Sequence, residues 1–261
     1  MDIHLLVVEA GNSKLKLGVF TAGELVYSRR LGTEGNDRAN WAGVLGEAWG
    51  RLDGNAAEVA GASSNPSLNA EVEKVVREVT GQPVQWVGDE LDLPIAVQTD
   101  EPARTGVDRV LNVAAAFEQL KKACCVVDVG TAVTVDLCDE SGNFVGGVIA
   151  PGPHLQAKSL HEAAPHLPVV EPAPIEAGFG KNTDEAIRGG IVLGIRGLVR
   201  QVCETYAMTL DAWPEVIATG GDAHALFGDM PQEELIHAIS PDLTLYGIAL
   251  AYTNHHIKHG T

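Results

Sequence analysis

The chain carries the same short pattern at two places that lie nearly half its length apart. Residues 7–11 read VVEAG and residues 126–130 read VVDVG, a separation of 119 residues in a chain of 261. After each copy the residues alternate between polar and apolar, as in a half-buried strand. The repeat therefore predicts an α/β protein with two related halves, residues 1–117 and 118–261, which face each other across a cleft.

Charge and cysteine content exclude several classes of protein. The chain has 18 Lys and Arg against 35 Asp and Glu, a net charge of −17, which repels nucleic acids and anionic membranes. No apolar run approaches the roughly 18–20 residues that cross a bilayer, and the start of the chain lacks the pattern of a secretory signal. The cysteines form no C-x-x-C pair, so we expect buried thiols in a reducing cytoplasm.

Hydrophobic periodicity predicts strands that alternate with helices, in two mixed sheets with flanking helices. The predicted strands are 5–9, 14–20, 25–29, 59–63, 84–87, 123–128, 133–137, 144–149 and 216–219. The predicted helices are 37–52, 68–80, 108–122, 154–163, 184–207 and 241–257.

The two acid–glycine segments suggest a site for a nucleoside triphosphate with its metal ion. Glycine lets backbone N–H groups approach an oxygen-rich ligand, and an acid at the end of the preceding strand can hold Mg²⁺. Polar groups in the two turns add hydroxyls, amides and positive charge, namely Asn12, Ser13, Lys14, Lys16, Thr131 and Thr134. The alternative is a pair of tight turns with solvated acids.

Three other segments leave their interpretation open. Asp108 stands where a loop becomes a helix, so it either caps that helix or acts as a general base, with Arg109 binding an anionic group. Gly220 and Gly221 lead from a strand into a helix and either approach a nucleotide or serve packing alone. The histidines near the C-terminus, at 255, 256 and 259, are expected to be solvated.

In this order, the segments resemble the type III pantothenate kinase family of the acetate/sugar kinase, chaperone ATPase and actin superfamily. The matching segments are EAGNSK at 9–14, GVDR at 106–109, DVGTA at 128–132, GGVIAPG at 146–152, GKNT at 180–183 and ATGG at 218–221. The resemblance implies two duplicated actin/ribonuclease-H-like halves, a homodimer, ATP and pantothenate as substrates, Mg²⁺, and a monovalent cation, K⁺ or NH₄⁺.

The resemblance also implies a role for individual residues. Asp108 would take the proton from the pantothenate hydroxyl, Glu9 would hold Mg²⁺, and Asp128 would hold Mg²⁺ or the monovalent cation. The pantothenate pocket would include Gly106, Asp108, Arg109 and Thr99, with Thr183 from a partner subunit. ATP would contact Glu9, Gly11, Asn12, Ser13, Lys14, Gly130, Thr131, Gly220 and Gly221.

Two residues depart from the pattern of the family. Glu9 stands where the family has Asp, and Thr99 stands where many members have Tyr. The sequence therefore predicts an ATP-dependent kinase that makes 4'-phosphopantothenate, the first step of coenzyme A biosynthesis. The alternatives are a catalytically weak homologue that binds a nucleotide or metabolite and acts as a regulator, and a kinase for another small hydroxyl compound.

Overall fold

A computed structural model describes residues 3–33, 40–52, 57–174, 178–228, 230 and 235–260. It divides into two compact units. The first unit comprises Met1–Val97, Glu101–Ala115 and Asp242–Thr261, and the second comprises Gln98–Asp100 and Ala116–Pro241.

Each unit is built on one five-stranded sheet, and the two sheets share one topology. The strands of the first unit are β1 (His4–Ala10), β2 (Lys14–Thr21), β3 (Glu24–Gly32), β4 (Glu58–Ser63) and β5 (Val84–Trp86). Those of the second are β6 (Cys124–Val129), β7 (Ala132–Cys138), β8 (Phe144–Pro151), β9 (Glu215–Thr219) and β10 (Ala238–Ile239). The orders β3-β2-β1-β4-β5 and β8-β7-β6-β9-β10 correspond strand for strand. In both, the first three strands pair antiparallel and the last two add in parallel, which confirms the predicted duplication.

Helices flank both sheets. They are α1 (Trp41–Gly50), α2 (Asn69–Thr80), α3 (Val107–Leu120), α4 (Pro153–Ala163), α5 (Thr183–Leu210), α6 (Ala223–Phe227) and α7 (Leu243–His259). None of the helices in the described ranges is long and apolar enough to span a bilayer. The predicted helix and strand types are confirmed, whereas the two-residue strand β10 is missing from the predictions. Of the helix predicted at 37–52, residues 37–39 lie outside the described residues.

The first strand, β1, is buried on both faces because its residues 5–8 are continuously apolar. One face of β1 and β2, with Leu6, Val8 and Leu17, packs on α1 and α2. The other face, with Leu5 and Val7, packs on α3 and α7. Successive side chains of a strand point to opposite faces, so a single run of apolar residues supplies both cores.

The core of the second unit lies between its sheet and α5 and α6. Alternate residues of β6 and β7 pack there against the long helix α5, through Ile191, Ile195 and Val199. All four cysteines, Cys124, Cys125, Cys138 and Cys203, are buried and free. The hydrogen bond with the Cys203 thiol and burial raise the pKa of Cys125, so this thiol stays protonated, and the prediction of buried cysteines is confirmed.

The end of the chain returns to the first unit. Leu245, Ile248 and Ala251 of α7 are buried in the same core as Leu5 and Val7. Sequence periodicity identified this helix but assigned it to the half 118–261, because periodicity shows that a helix has an apolar face and not which sheet covers it. The division between the units also falls inside α3, between Ala115 and Ala116.

Candidate active site

The first acid–glycine turn joins β1 to β2 on a fixed backbone. The Gly11 N–H donates to the Lys14 carbonyl (3.0 Å) and so closes the turn on itself. Thr33 holds it from the side, since its N–H donates to the Ser13 carbonyl (3.3 Å) and its hydroxyl to the Asn12 carbonyl (3.0 Å). The exposed side chains of Asn12, Ser13 and Lys14 therefore project from an ordered turn.

Glu9, the last residue but one of β1, forms an ion pair across the sheet. It lies directly opposite Lys16 of β2, and the Lys16 Nζ is 3.0 Å from its Oε2. The two side chains are only 13% and 12% exposed. A carboxylate at this depth needs a counter-charge to offset its lost hydration, so Lys16 both stabilises and orients Glu9.

Asp108 is the second residue of α3 and is partly buried. Because α3 begins at Val107, Asp108 lies within the first turn and not at the N-cap, although its Oδ1 accepts a hydrogen bond from the Arg109 N–H (3.0 Å). Burial raises the pKa of Asp108, the hydrogen bond from Arg109 opposes this rise, and the nearby charge of Glu9 adds to it. The structure therefore brings Glu9 and Asp108 close enough for their charges to interact, and it gives Asp108 an affinity for a proton above that of an exposed carboxyl.

Gly106 leaves the space that the Asp108 carboxylate occupies. A Cβ added at Gly106 would lie 2.7 Å from the Asp108 Oδ1, closer than nonbonded atoms approach. The Gly-x-Asp-Arg spacing thus has a local structural reason, since the carboxylate folds back over the residue two positions earlier.

The second acid–glycine turn joins β6 to β7, and Gly130 N–H donates to the Ala132 carbonyl (2.9 Å) within it. Asp128, again the last residue but one of its strand, lies opposite Thr134 of β7 and beside Thr219 of β9. The Thr219 hydroxyl is buried and has no hydrogen-bond partner among the residues that the structure describes. Carboxylate and hydroxyl oxygens are the donors that hard cations prefer, so this group fits Mg²⁺ or a monovalent cation.

Two glycines let other backbone segments close in on this second turn. A Cβ at Gly152 would overlap the Gly130 carbonyl oxygen, and a Cβ at Gly220 would overlap the Val129 carbonyl oxygen and come within 2.5 Å of the Asp128 Oδ1. Gly220 also has φ +97°, which side-chain-bearing residues rarely adopt. Close backbone approach is thus an observed role of Gly220.

The loop after β9 folds over the end of β6. The Asp222 N–H donates to the Val129 carbonyl (3.0 Å), and the His154 Nε2 lies 3.2 Å from the Asp222 Oδ1. Gly221 is therefore held between two residues with fixed backbones, Gly220 and Asp222. Sequence reasoning did not identify His154 or Asp222, which lie 68 residues apart and match no spacing motif.

The remaining predicted residues lie elsewhere in the second unit or beside Asp108. Thr183 is exposed and opens α5, one residue after its N-cap Asn182, whose side chain accepts a hydrogen bond from the Glu185 N–H. Thr99 follows Gln98, whose N–H donates to the Phe144 carbonyl (2.8 Å). Arg109 is partly buried next to Asp108.

Residues 5–205 match the family model of type III pantothenate kinase. The chain belongs to this family. A type III pantothenate kinase of Geotalea uraniireducens is 33% identical over 252 residues, which cover 95% of this chain and 97% of the relative. A second relative of the same description, from Thermomicrobium roseum, is 33% identical over 257 residues, or 97% and 98% of the two chains.

Solved structures match the same fold over nearly the whole chain. MreB5 of Spiroplasma citri bound to ADP has a TM-score of 0.53 at 11% identity and covers 99% of both chains. A conserved Baf family chain from Campylobacter jejuni, described as a transcriptional activator, has a TM-score of 0.58 at 22% identity and covers 95% of this chain and 98% of its own. At such identities the likeness shows the fold alone, and that fold is the predicted actin-like one.

Proposed function

We propose that the chain transfers the γ-phosphoryl group of ATP to the primary hydroxyl of pantothenate, giving 4'-phosphopantothenate, the first step of coenzyme A biosynthesis. Membership of the type III pantothenate kinase family supports the reaction. The observation that carries the mechanism is Asp108, a partly buried carboxyl whose pKa is raised by burial and, to a smaller extent, by the charge of Glu9. Such a group accepts a proton more readily than an exposed aspartate does.

In the proposed reaction Asp108 acts as the general base. Its carboxylate takes the proton of the pantothenate hydroxyl as the hydroxyl oxygen attacks the γ-phosphorus and ADP leaves. Arg109 binds the pantothenate carboxylate as a charge-assisted partner, and Gly106 keeps the space in which the Asp108 carboxylate is held. Thr99 and Thr183 complete the pocket, and the smaller Thr99 in place of a tyrosine leaves more room there.

Each acid–glycine turn supplies groups for ATP. The N–H groups of Gly11 and Gly130 already donate hydrogen bonds within their own turns, so these glycines shape the turns. The phosphates are contacted instead by side chains of the two turns, namely Asn12, Ser13, Lys14 and Thr131. Glu9 would hold Mg²⁺, and Asp128 would hold Mg²⁺ or the monovalent cation, K⁺ or NH₄⁺. A bound metal ion would supply positive charge to the phosphates, and Gly220 and Gly221 would border the nucleoside.

The active form is proposed to be a cytoplasmic homodimer that binds neither nucleic acid nor membrane. The net charge of −17 opposes binding to polyanions, and four free thiols fit a reducing compartment. Thr183 lines a groove of about 580 Å³ with apolar residues of α4 and α5. Because Thr183 is exposed, it is accessible to a second subunit, whose pantothenate pocket it would complete.

The direct test is incubation of the pure protein with ATP, Mg²⁺, K⁺ and pantothenate, followed by mass spectrometry of the products. We expect phosphopantothenate, less of it when Na⁺ replaces K⁺, and about 10²–10⁴-fold slower formation with Asp108→Asn. Glu118→Gln, the same chemical change at an exposed position of α3, is the matched control and should leave the rate unchanged. Nucleotide binding without any product would instead favour the regulatory alternative.

A further inference from the structure

A cluster of metal-ligating side chains lies in the first unit, apart from the groups described above. His255 and His259 are one helical turn apart on α7, with ring centroids separated by 4.4 Å. Asp92, from the segment after β5, approaches the same turn. One ligand atom from each of the three side chains lies within 4.8 Å of the other two.

The carboxylate of this cluster already has basic side chains next to it. The Lys258 Nζ lies 2.8 Å from the Asp92 Oδ2, and the His259 Nε2 lies 3.9 Å from the same oxygen. The Lys258 side chain is 67% exposed, so it can move into solvent when another cation takes its place.

His255 has an unused ligand atom. Its Nδ1 is buried and makes no hydrogen bond to any part of the chain that the structure describes. A buried imidazole nitrogen without a partner has lost its hydration and gained no hydrogen bond, which destabilises the fold. A bound metal ion would supply the missing partner. The expectation that these histidines are solvated therefore fails for His255, and also for His256, whose side chain is 15% exposed and packs on Tyr252 beside Glu58.

We propose that Asp92, His255 and His259 bind a divalent transition-metal ion of the Zn²⁺ type. Two imidazole nitrogens and one carboxylate oxygen are a common donor set for Zn²⁺, with a water molecule as the fourth ligand. Metal–ligand distances of about 2.0–2.2 Å require ligand atoms about 3.4 Å apart in a tetrahedron. The three ligand atoms lie within 4.8 Å of one another, so an ion that binds there would have to draw them closer together.

The position of the cluster points to a structural metal. His256, next to His255, contacts Glu58, the first residue of β4. Glu9 pairs with Ala62, near the other end of the same strand. The cluster is thus at the opposite end of the sheet from the proposed Mg²⁺ ligand. The ion would tie the last turns of α7 to the segment after β5, replacing the ion pair between Lys258 and Asp92.

The test is a titration of the chelator-treated full-length protein with Zn²⁺ against a chromophoric competitor, repeated with Co²⁺ to read the coordination from its visible spectrum. We expect a single equivalent of Zn²⁺ and a tetrahedral Co²⁺ spectrum. His259→Ala and Asp92→Asn should each weaken binding at least about tenfold, as even indirect partners of a metal do when changed. Lys258→Ala should strengthen binding, because it removes the competing cation.

His166→Ala, at an exposed histidine of the second unit, is the matched control and should not change the affinity. Since His259 and Asp92 are exposed, their variants should keep the far-ultraviolet circular dichroism of the parent. Zn²⁺ binding that is equally tight in His259→Ala and Asp92→Asn, or no binding in the parent, would overturn the proposal. Neither result would bear on the kinase proposal, which these side chains do not enter.

Discussion

Burial raises the pKa of the Asp108 carboxyl and makes its charge costly to the fold. The pKa in the folded state lies above that of an exposed aspartate, so at pH values between the two the folded state holds more protons than the unfolded state. Stability therefore falls as pH rises through that window, and the cost remains at neutral pH.

Asp108→Asn should separate stability from activity. We expect turnover to fall by about 10²–10⁴-fold, the usual contribution of a general base, while the urea midpoint at pH 7 rises because a buried charge is gone. The gain should disappear at acid pH, below the pKa of an exposed aspartate, where the parent carboxyl is protonated in both states. Denaturation at several pH values checks this, and a lower midpoint at pH 7 would contradict it.

The ion pair between Glu9 and Lys16 is predicted to be energetically coupled. Removing one partner leaves the other charged and poorly hydrated. The losses in stability caused by Glu9→Gln and by Lys16→Met should therefore add up to more than the loss in the double variant. A double-mutant cycle by urea unfolding should give a coupling energy of about 0.5–3 kcal/mol. The exposed pair between Arg51 and Glu47, expected at roughly 0.2–1 kcal/mol, serves as the control cycle.

At the scale of the element, the start of α3 depends on the missing side chain of Gly106. Gly106→Ala should displace the Asp108 carboxylate, and a shift of about 1 Å can cost about 10²-fold in rate. Gly43→Ala on α1, where an added Cβ meets nothing within 4 Å, is the control and should be neutral or slightly stabilising. Steady-state kinetics that gave the parent kcat for Gly106→Ala would contradict the positioning role.

The second turn should be less tolerant, because rigid backbone surrounds it. Gly152→Ala places a methyl group against the Gly130 carbonyl, which cannot rotate away as a side chain can. We expect a loss of at least about 1–3 kcal/mol, as for overpacked sites, together with weaker ATP binding by calorimetry. Gly194→Ala on α5, with no atom near the added Cβ, should keep both.

Local sequence predicts elements and turns, but not contacts between distant segments. The acid–glycine turns and α3 were predictable because alternation, glycine and acid stand together in the chain. The approach of Gly152 to Gly130 was not, because it depends on how β8 pairs with β7. The approach of Asp92 to His255 and His259 was not predictable either, because Asp92 lies far from them in the chain. Only the i, i+4 spacing of the two histidines is visible in the sequence.

At the scale of the whole molecule, α7 completes a core that begins with the first strand. Ile248→Ala should cost about 2–5 kcal/mol, because Ile248 is fully buried against residues of β1. Ile257→Ala on the same helix changes a side chain that is 64% exposed, so it should stay within about 0.5 kcal/mol. Chemical denaturation followed by tryptophan fluorescence compares the two, and equal losses would contradict this packing.

The return of α7 to the first sheet also sets the timing of biosynthesis. The ribosome releases β1 long before α7, so part of the cover over Leu5, Val7 and Phe20 is missing until α7 has been synthesised. Chaperones bind such apolar surface, and a product that stops before α7 would keep this part of it exposed. Synthesis of α7 is thus coupled to the burial of this surface.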